Sequence, residues 1–269
     1  MKKALLRLLA PAPYWIKRPL FKLWLSLTPA GEVAHRGERL VVGSWDEVAN
    51  SGEFYHSMHA HRYWWAAQQI TPGSLVLDLG CGSGYGAWYL AWDEPRNTVV
   101  GLELNRLALS WARSHFAGRF NVEFLDPTGV EEEYESNTFD YVVCFEVVEH
   151  DPENVLESIL NWLSPSGTLI ISTANASPTS VRQYLIDKKM VTVNPTHKHE
   201  YTPTEFMELL NTHFSSVELF GQRPTRVNSF EGYLKERRRR GVGLKDFKMD
   251  PTGLNLSEVM VAICRGLRS

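Results

Sequence analysis

The most informative residues in the chain form a short loop in which glycine occupies every second position. Gly80, Gly82 and Gly84 follow an apolar run that carries Asp78, and Glu103 ends the next apolar run. Glycine lets the backbone turn sharply and approach a ligand closely, because it has no Cβ atom. The spacing differs from the G-x-G-x-x-G of dinucleotide-binding loops, and an acid at the loop disfavours a pyrophosphate. A ligand with an ammonium, a sulfonium and a ribose suits the two carboxylates, which predicts a site for S-adenosylmethionine (SAM).

A second group of polar residues follows later in the chain. Glu146, Glu149 and His150 come directly after a strand-like apolar run, and His197 lies further on. The carboxyl ends of strands face the ligand in such folds, so we expect these side chains beside the reacting groups. Their oxygen and imidazole ligands suit Mg²⁺ or Mn²⁺, with zinc as a further option. Alternatively, His150 or His197 acts alone as a general base, or Glu149 and His150 only cap the next helix.

These residues need a scaffold, and the hydrophobic pattern supplies one by alternating short apolar runs with amphipathic segments. The predicted strands are 75–79, 98–102, 122–125, 139–145, 168–172, 217–220 and 259–264. The predicted helices are 53–70, 85–92, 106–116, 152–163 and 204–212. Such alternation predicts an α/β fold, a Rossmann-like, doubly wound, mostly parallel seven-stranded sheet with helices on both faces.

With this loop and these acids in place, residues 45–220 resemble the class I SAM-dependent methyltransferases. The resemblance implies that Asp78 and the loop hold the methionine part of SAM and that Glu103 holds the ribose. It places Asp126 on the adenine, although an aspartate before Pro127 could equally be a simple turn former. The loop residues that it assigns to the cofactor are Gly80, Cys81, Gly82 and Gly84.

Three narrower groups share further motifs with the chain. Ubiquinone-biosynthesis O-methyltransferases are similar in Trp45-Asp46, Arg62 and residues 146–150, and small-RNA 2′-O-methyltransferases in residues 146–150 and 197–202. Sugar methyltransferases share an Asn-Pro-x-His…Glu-Tyr segment, for which no metal is assumed. In the first two groups two glutamates and two histidines are associated with a divalent cation. That resemblance implies the ligands Glu146, Glu149, His150 and His197.

The helix before the first strand carries several further polar side chains. Arg62 matches an arginine that binds the carboxylate of SAM in the ubiquinone-type group, and a surface ion pair is the alternative interpretation. His56, His59 and His61 precede it, and their spacing does not place all three on one stripe of a helix. We expect these three histidines to form a polar helix face rather than a ligand set.

Charge is unevenly distributed along the 269 residues, whose net charge is −3. Residues 1–44 are predicted to be a basic amphipathic extension, because residues 1–31 hold six basic side chains and no acid. Such a segment suits peripheral membrane contact, or a helix packed on the domain. Residues 45–269 form the predicted domain, with acceptor-site inserts near 174–203 and 221–256. Three scattered cysteines suit a reducing compartment, so we expect a cytoplasmic protein, peripheral at the inner face of the membrane.

The expected activity is O-methylation of a small molecule, a sugar or a lipid-linked acceptor. The catalytic candidates are Glu146, His150 and His197. Methylation of small RNA at the 2′-hydroxyl is an alternative, since Arg237–Arg240 could contact phosphates. The acidic remainder of the chain disfavours nucleic acid, and the arginine run is also compatible with a solvated loop. A non-catalytic SAM-binding scaffold at a membrane is the third hypothesis.

Overall fold

The computed structural model describes residues 40–268, which form one mixed sheet flanked by helices. The strands are β1 (Leu75–Leu79), β2 (Thr98–Leu102), β3 (Val122–Leu125), β4 (Phe139–Phe145), β5 (Leu163–Ala174), β6 (Phe214–Pro224), β7 (Phe247–Asp250) and β8 (Val259–Leu267). The α-helices are α1 (Asp46–Ala49), α2 (Phe54–Ala67), α3 (Tyr85–Asp93), α4 (Arg106–Phe116), α5 (Pro127–Glu133), α6 (Pro152–Trp162), α7 (Val181–Asp187), α8 (Pro203–His213) and α9 (Phe230–Arg237). Two 3₁₀ turns, Leu244–Asp246 and Leu254–Leu256, flank β7.

The strand order of the sheet is β3-β2-β1-β4-β5-β8-β6-β7. The first five strands in this order are parallel, and β8 pairs antiparallel with both β5 and β6. The doubly wound, mostly parallel fold is therefore confirmed, but the sheet has eight strands rather than the predicted seven. The additional strand is β7, which pairs with the end of β6 inside the segment expected to be an insert. Its sequence, Phe-Lys-Met-Asp, alternates apolar and polar residues, but four residues without a β-branched side chain are too short a pattern to mark a strand.

Helices cover both faces of the sheet because successive side chains of a strand point to opposite sides. On β1, Val76 belongs to one buried core and Leu77 to the other. The first core packs against α2, α3 and α4, and the second packs against α5, α6 and α8. The central strands are therefore buried on both faces, which explains why their sequences are mostly apolar rather than strictly alternating.

Parallel pairing brings the carboxyl ends of the central strands to one edge of the sheet. The glycine loop follows β1, Glu103 follows β2 and Glu146 follows β4, and these three strands are neighbours. β8 runs in the opposite direction, so its first residue, Val259, pairs with Ala174 at the same edge. The fold thus gathers the polar groups that were singled out in the sequence.

The predicted inserts, and residues 40–44 of the predicted amino-terminal extension, lie within the described residues. The 174–203 insert contains α7 and returns to the sheet edge through a bridge between Asn175 and Tyr201. Residues 40–44, assigned above to the extension, pack on the domain: Trp111 Nε1 donates a 2.8 Å hydrogen bond to the carbonyl of Val42, which is buried. Residues 1–31, which carry the membrane-contact prediction, lie outside the described residues. Within residues 40–268 no helix is long and apolar enough to cross a bilayer.

Candidate active site

The turn after β1 requires glycine. Gly80 has a φ of +80°, in the left-handed region that side chains disfavour, and a Cβ there would lie 2.5 Å from Cγ2 of Val147. At Gly84, with a φ of +91°, a Cβ would lie 2.7 Å from the Cβ of Ala112 on α4. At both positions the backbone lies so close to its neighbours that only glycine, which has no Cβ, fits without a clash. Helix α3 begins directly after the loop.

Asp78 lies beneath this loop rather than on the wall of the adjoining cavity. The hydroxyl of Tyr63 donates to its two carboxylate oxygens at 3.2 and 3.3 Å, and the backbone N–H of Ala87 donates to it as well. Burial raises the pKa of Asp78 to about 7; these hydrogen bonds oppose the rise, and the charge of Glu103 adds to it. Asp78 thus ties α2 and α3 to the end of β1, and its direct contact with a cofactor stays a prediction.

Glu103 borders a cavity of about 810 Å³ at the carboxyl edge of the sheet. Its Oε2 accepts a 3.0 Å hydrogen bond from the N–H of Gly82, and its Oε1 accepts a 2.7 Å bond from the N–H of Asn105. These bonds hold the carboxylate between the glycine loop and the start of α4. Cys81 is buried and lines the same cavity, as do Gly80 and Gly82. The geometry suits a ligand whose ribose hydroxyls donate to Glu103.

Asp126 caps a helix that the sequence did not predict. Its Oδ1 accepts a 2.9 Å hydrogen bond from the N–H of Gly129, and Pro127 occupies the first turn of α5. The turn-forming interpretation is therefore observed, since an aspartate at this position satisfies an unpaired helix N–H. The cavity reaches Pro127 next to it. The predicted adenine contact of Asp126 stays a prediction.

Arg62 is buried, contrary to the surface ion pair that was its alternative interpretation. Its guanidinium is 1% exposed and its Nη1 lies 3.0 Å from Oε1 of Glu146, with Ser172 Oγ at 3.2 Å. Its Nε and Nη2 have no hydrogen-bond partner among the described residues. Arg62, Phe145 and Glu146 all line the cavity. A buried guanidinium with donors to spare is a receptor for an anion such as a carboxylate.

Three of the four predicted metal ligands lie together. One potential ligand atom from each of Glu149, His150 and His197 lies within 4.8 Å of the others. Glu149 is buried, its Oε2 accepts a 3.1 Å bond from Thr173 Oγ1, and its Oε1 has no hydrogen-bond partner within residues 40–268. Burial, and then the charge of Glu146, raise the pKa of Glu149 well above its usual range. His150 lines the cavity, and its ring lies 4.9 Å from that of His197.

Glu146 is not part of this cluster of three, and its assignment as a ligand stays a prediction. It has a φ of +56°, and both its N–H and its Oε1 are engaged by Ser172 at 3.2 and 2.9 Å. Its carboxylate is directed to Arg62 instead. The sequence showed three polar residues after β4 but could not show that the chain turns between Glu146 and Glu149.

The prediction that three histidines form a polar helix face is wrong for His59 and His61. His61 is 1% exposed, and its Nδ1 accepts a 3.0 Å bond from Gln222 Nε2, while burial and then Arg62 lower its pKa to about 3. His59 lines the cavity and lies 3.3 Å from the hydroxyl of Tyr85.

The sequence analysis did not single out Tyr63 and Tyr85 as site residues, although both line the cavity. Tyr63 follows Arg62 directly, and Tyr85 lies in the glycine motif.

Comparison with known proteins identifies the family. Residues 70–216, more than half of the chain, match the family described as a methyltransferase domain. The chain belongs to the class I SAM-dependent methyltransferases. SAM is accordingly its cofactor, and the cavity beside the glycine loop is where the family's fold would receive it.

Similar methyltransferases act on different kinds of acceptor. The chain is 32% identical to the ubiquinone biosynthesis O-methyltransferase of Aeromonas salmonicida over 182 residues, 63% of this chain and 75% of that protein. It is 36% identical over 112 residues to a phosphoethanolamine N-methyltransferase of Triticum aestivum, 40% of this chain but 22% of that protein. It is 34% identical over 136 residues to a tRNA U34 carboxymethyltransferase of Pseudoalteromonas atlantica, 45% of this chain and 42% of that protein. Because the chain spans less than half of the last two relatives, their substrates do not transfer to it.

Solved structures agree in fold. A SAM-dependent methyltransferase of Thermotoga maritima has a TM-score of 0.54 at 17% identity, covering 78% of this chain and 91% of that one. The small RNA methyltransferase HEN1 has a TM-score of 0.53 at 22% identity, covering 78% of this chain and 25% of that one. At these identities the likeness shows the methyltransferase fold and carries no information about the acceptor.

Proposed function

We propose that this methyltransferase transfers the methyl group of SAM to a hydroxyl oxygen of a small molecule, a sugar or a lipid-linked acceptor. The observation that carries the proposal is the cluster of Glu149, His150 and His197, with His150 on the cavity wall. A neutral hydroxyl oxygen is a weak nucleophile and must lose its proton as it attacks the methyl carbon, whereas a neutral amine is nucleophilic enough to attack before it loses a proton. Two imidazoles and a carboxyl group beside the cofactor cavity therefore favour oxygen over nitrogen.

In this reaction the acceptor oxygen attacks the methyl carbon in line with the departing sulfur. The C–S bond breaks with its electron pair going to sulfur, which leaves neutral S-adenosylhomocysteine. The acceptor proton goes to an imidazole of His150 or His197, since histidine exchanges protons near neutral pH. Glu146 was expected to share this role, but its pairing with Arg62 makes it part of the cofactor wall in the proposal.

The cofactor is proposed to lie with its amino-acid end at Arg62 and its ribose at Glu103. The proposed partners of the SAM carboxylate are Nε and Nη2 of Arg62, two buried donors that the pairing of Nη1 with Glu146 does not engage. Glu103 is held in place by two backbone N–H groups and can accept from ribose hydroxyls. Asp126 and the glycine loop complete the proposed contacts, with Asp78 acting from behind the loop.

A divalent cation fits the same cluster, which supports Mg²⁺ or Mn²⁺ as an additional component. The fit rests on Oε1 of Glu149, a buried oxygen without a hydrogen-bond partner among residues 40–268, and on two nearby imidazoles. Glu149, His150 and His197 would hold the ion, in a mixed oxygen and nitrogen set that these metals accept. When bound, such an ion lowers the pKa of an acceptor hydroxyl.

The basic, apolar composition of residues 1–31 supports an acceptor at a membrane surface, and hence a peripheral location on its cytoplasmic side. Small RNA is less favoured, because the arginine run is largely neutralised within the fold. Arg237 pairs with Glu258, Arg239 with Glu236 and Asp246, and Arg240 with Glu53. Arginines engaged in this way contribute less to phosphate binding than free ones.

The test is to incubate the full chain with methyl-deuterated SAM and a panel of catechols, hydroxybenzoates, glycans, amines and RNA oligonucleotides, in Mn²⁺ or in EDTA. Mass spectrometry should find the label on an oxygen of a catechol, hydroxybenzoate or glycan. His150→Ala should lower kcat by roughly 10²- to 10⁴-fold without changing the affinity for SAM. His115→Ala, on the exposed side of α4, is the matched control. Label confined to amines or RNA would overturn the proposal, and full activity in EDTA would remove the cation.

A further inference from the structure

The segment before α8 holds the amide of Asn194 in a defined orientation. Its Oδ1 accepts hydrogen bonds from the N–H of Thr196 at 3.1 Å and from Thr196 Oγ1 at 2.9 Å. Its Nδ2 is therefore the atom that faces His197 Nε2, at 2.9 Å. An amide nitrogen can only donate, so Nε2 of His197 carries the lone pair and the ring proton is on Nδ1.

The proton on Nδ1 of His197 has a fixed acceptor. Oε1 of Glu200 lies 2.8 Å from Nδ1, and Arg182 donates to both oxygens of Glu200, through Nη1 at 2.6 Å and through Nη2. Glu200 is therefore held by two hydrogen bonds from Arg182 on the side of the imidazole that carries Nδ1.

The same segment reaches the second imidazole of the cluster. Thr196 Oγ1 lies 3.3 Å from His150 Nδ1. Because its single hydroxyl hydrogen is donated to Asn194, Thr196 accepts a hydrogen from Nδ1 of His150. Both histidines thus have the same tautomer, with Nε2 as the basic atom.

We propose that Glu200, held by Arg182, is a positioning residue that fixes His197 with its proton on Nδ1 and its Nε2 ready to accept a proton or bind a cation. Asn194 covers Nε2 and is displaced when His197 is used. Within residues 40–268, Glu200 is not one of the residues that line the cavity. Its effect on the reaction or on a cation therefore acts through His197. The catalytic part of this inference rests on the proposed function, whereas the tautomer does not.

The tautomer is tested by NMR of the full chain labelled with ¹⁵N-histidine. The two-bond ¹⁵N–¹H correlations should show protonated Nδ1 and unprotonated Nε2 for His197, whose signals are identified by their loss in His197→Ala. Glu200→Ala and Glu200→Gln should shift the ring toward a mixture of tautomers. Glu208→Gln, exposed on α8, is the matched control and should leave the spectrum unchanged. A proton on Nε2 in the parent chain, or an unchanged ring in Glu200→Ala, would overturn the inference.

The consequence for function is tested with Mn²⁺ alone, followed by calorimetry. Glu200→Gln should lower Mn²⁺ affinity roughly 10- to 100-fold while the affinity for SAM changes less than about twofold. Asn194→Ala should raise Mn²⁺ affinity, because no amide has to be displaced, and a fall would overturn the covering role. If the parent chain neither binds Mn²⁺ nor methylates any hydroxyl, the proposed function fails, while the NMR result still decides the role of Glu200.

Discussion

Arg62 gives the sharpest test of how the cofactor is held. Its guanidinium is 1% exposed, and its Nε and Nη2 have no hydrogen-bond partner within residues 40–268. A hydrogen bond to a charged group contributes about 1.5–3 kcal/mol, and a buried donor without a partner carries a comparable cost. We therefore expect Arg62→Met to weaken the binding of S-adenosylhomocysteine, the stable product, by roughly 10- to 150-fold.

The assay compares two ligands by calorimetry. 5′-Methylthioadenosine lacks the amino-acid carboxylate, so its affinity should change less than about twofold in Arg62→Met. Arg62→Lys should recover only part of the loss, because lysine keeps the charge but lacks the two-pronged donor geometry. Arg96→Met, at a side chain that is 70% exposed, is the matched control.

Two results would refute this interpretation. Equal losses for both ligands would mean that Arg62 supports the shape of the cavity rather than the carboxylate. If neither ligand lost affinity, the role of Arg62 would be limited to its ion pair with Glu146. Thermal unfolding of Arg62→Met and of the double variant with Glu146→Gln separates these results from a general loss of fold, since the double variant leaves no unpaired carboxylate.

Further predictions concern the loop, its acid and the amino terminus. Gly80→Ala should lower the free energy of unfolding, measured in urea, by about 2–5 kcal/mol, because the left-handed backbone is strained and the new Cβ overlaps Val147. Adding Val147→Ala should recover the part of this loss that is due to the overlap. Gly82→Ala, where a Cβ would meet nothing within 4 Å, should show only about 1–2 kcal/mol. Burial raises the pKa of Asp78 from 3.8 to about 7, so the folded chain binds this proton more tightly than the unfolded chain. The free energy of unfolding, measured with Asp78→Asn as the reference, should therefore fall by about 3 kcal/mol between pH 4 and 7. Thermal unfolding curves that run parallel for the two proteins across this range would contradict this. Deleting residues 1–31 should abolish sedimentation with anionic liposomes, and persistent binding would place the membrane contact elsewhere.

The parts of the structure that could be predicted are those whose conformation depends on residues adjacent in the sequence. The bounds of β1 to β4 follow from short, mostly apolar segments, and the loop after β1 follows from its glycines, because both depend on local backbone and burial. The family follows from the same local motif. α7 and α9 were missed because each is only seven or eight residues long. β7 was missed because its strand character depends on pairing with β6 rather than on its own composition.

Partners brought together by the fold were harder to predict, and Glu146 shows why this matters for chemistry. Its left-handed backbone is a strained conformation for a side chain, and hydrogen bonds from its N–H to the carbonyl and hydroxyl of Ser172, both 3.2 Å, help to stabilise it. With this backbone, the carboxylate of Glu146 points toward Arg62 and pairs with it. Three candidate metal ligands then lie together, where the sequence suggested four. In the proposed Mg²⁺ or Mn²⁺ site, which prefers six ligands, three protein ligands would leave three positions for water or an acceptor oxygen. The proposed site of Glu149, His150 and His197 would therefore have one more open position than the set of four ligands that the sequence suggested.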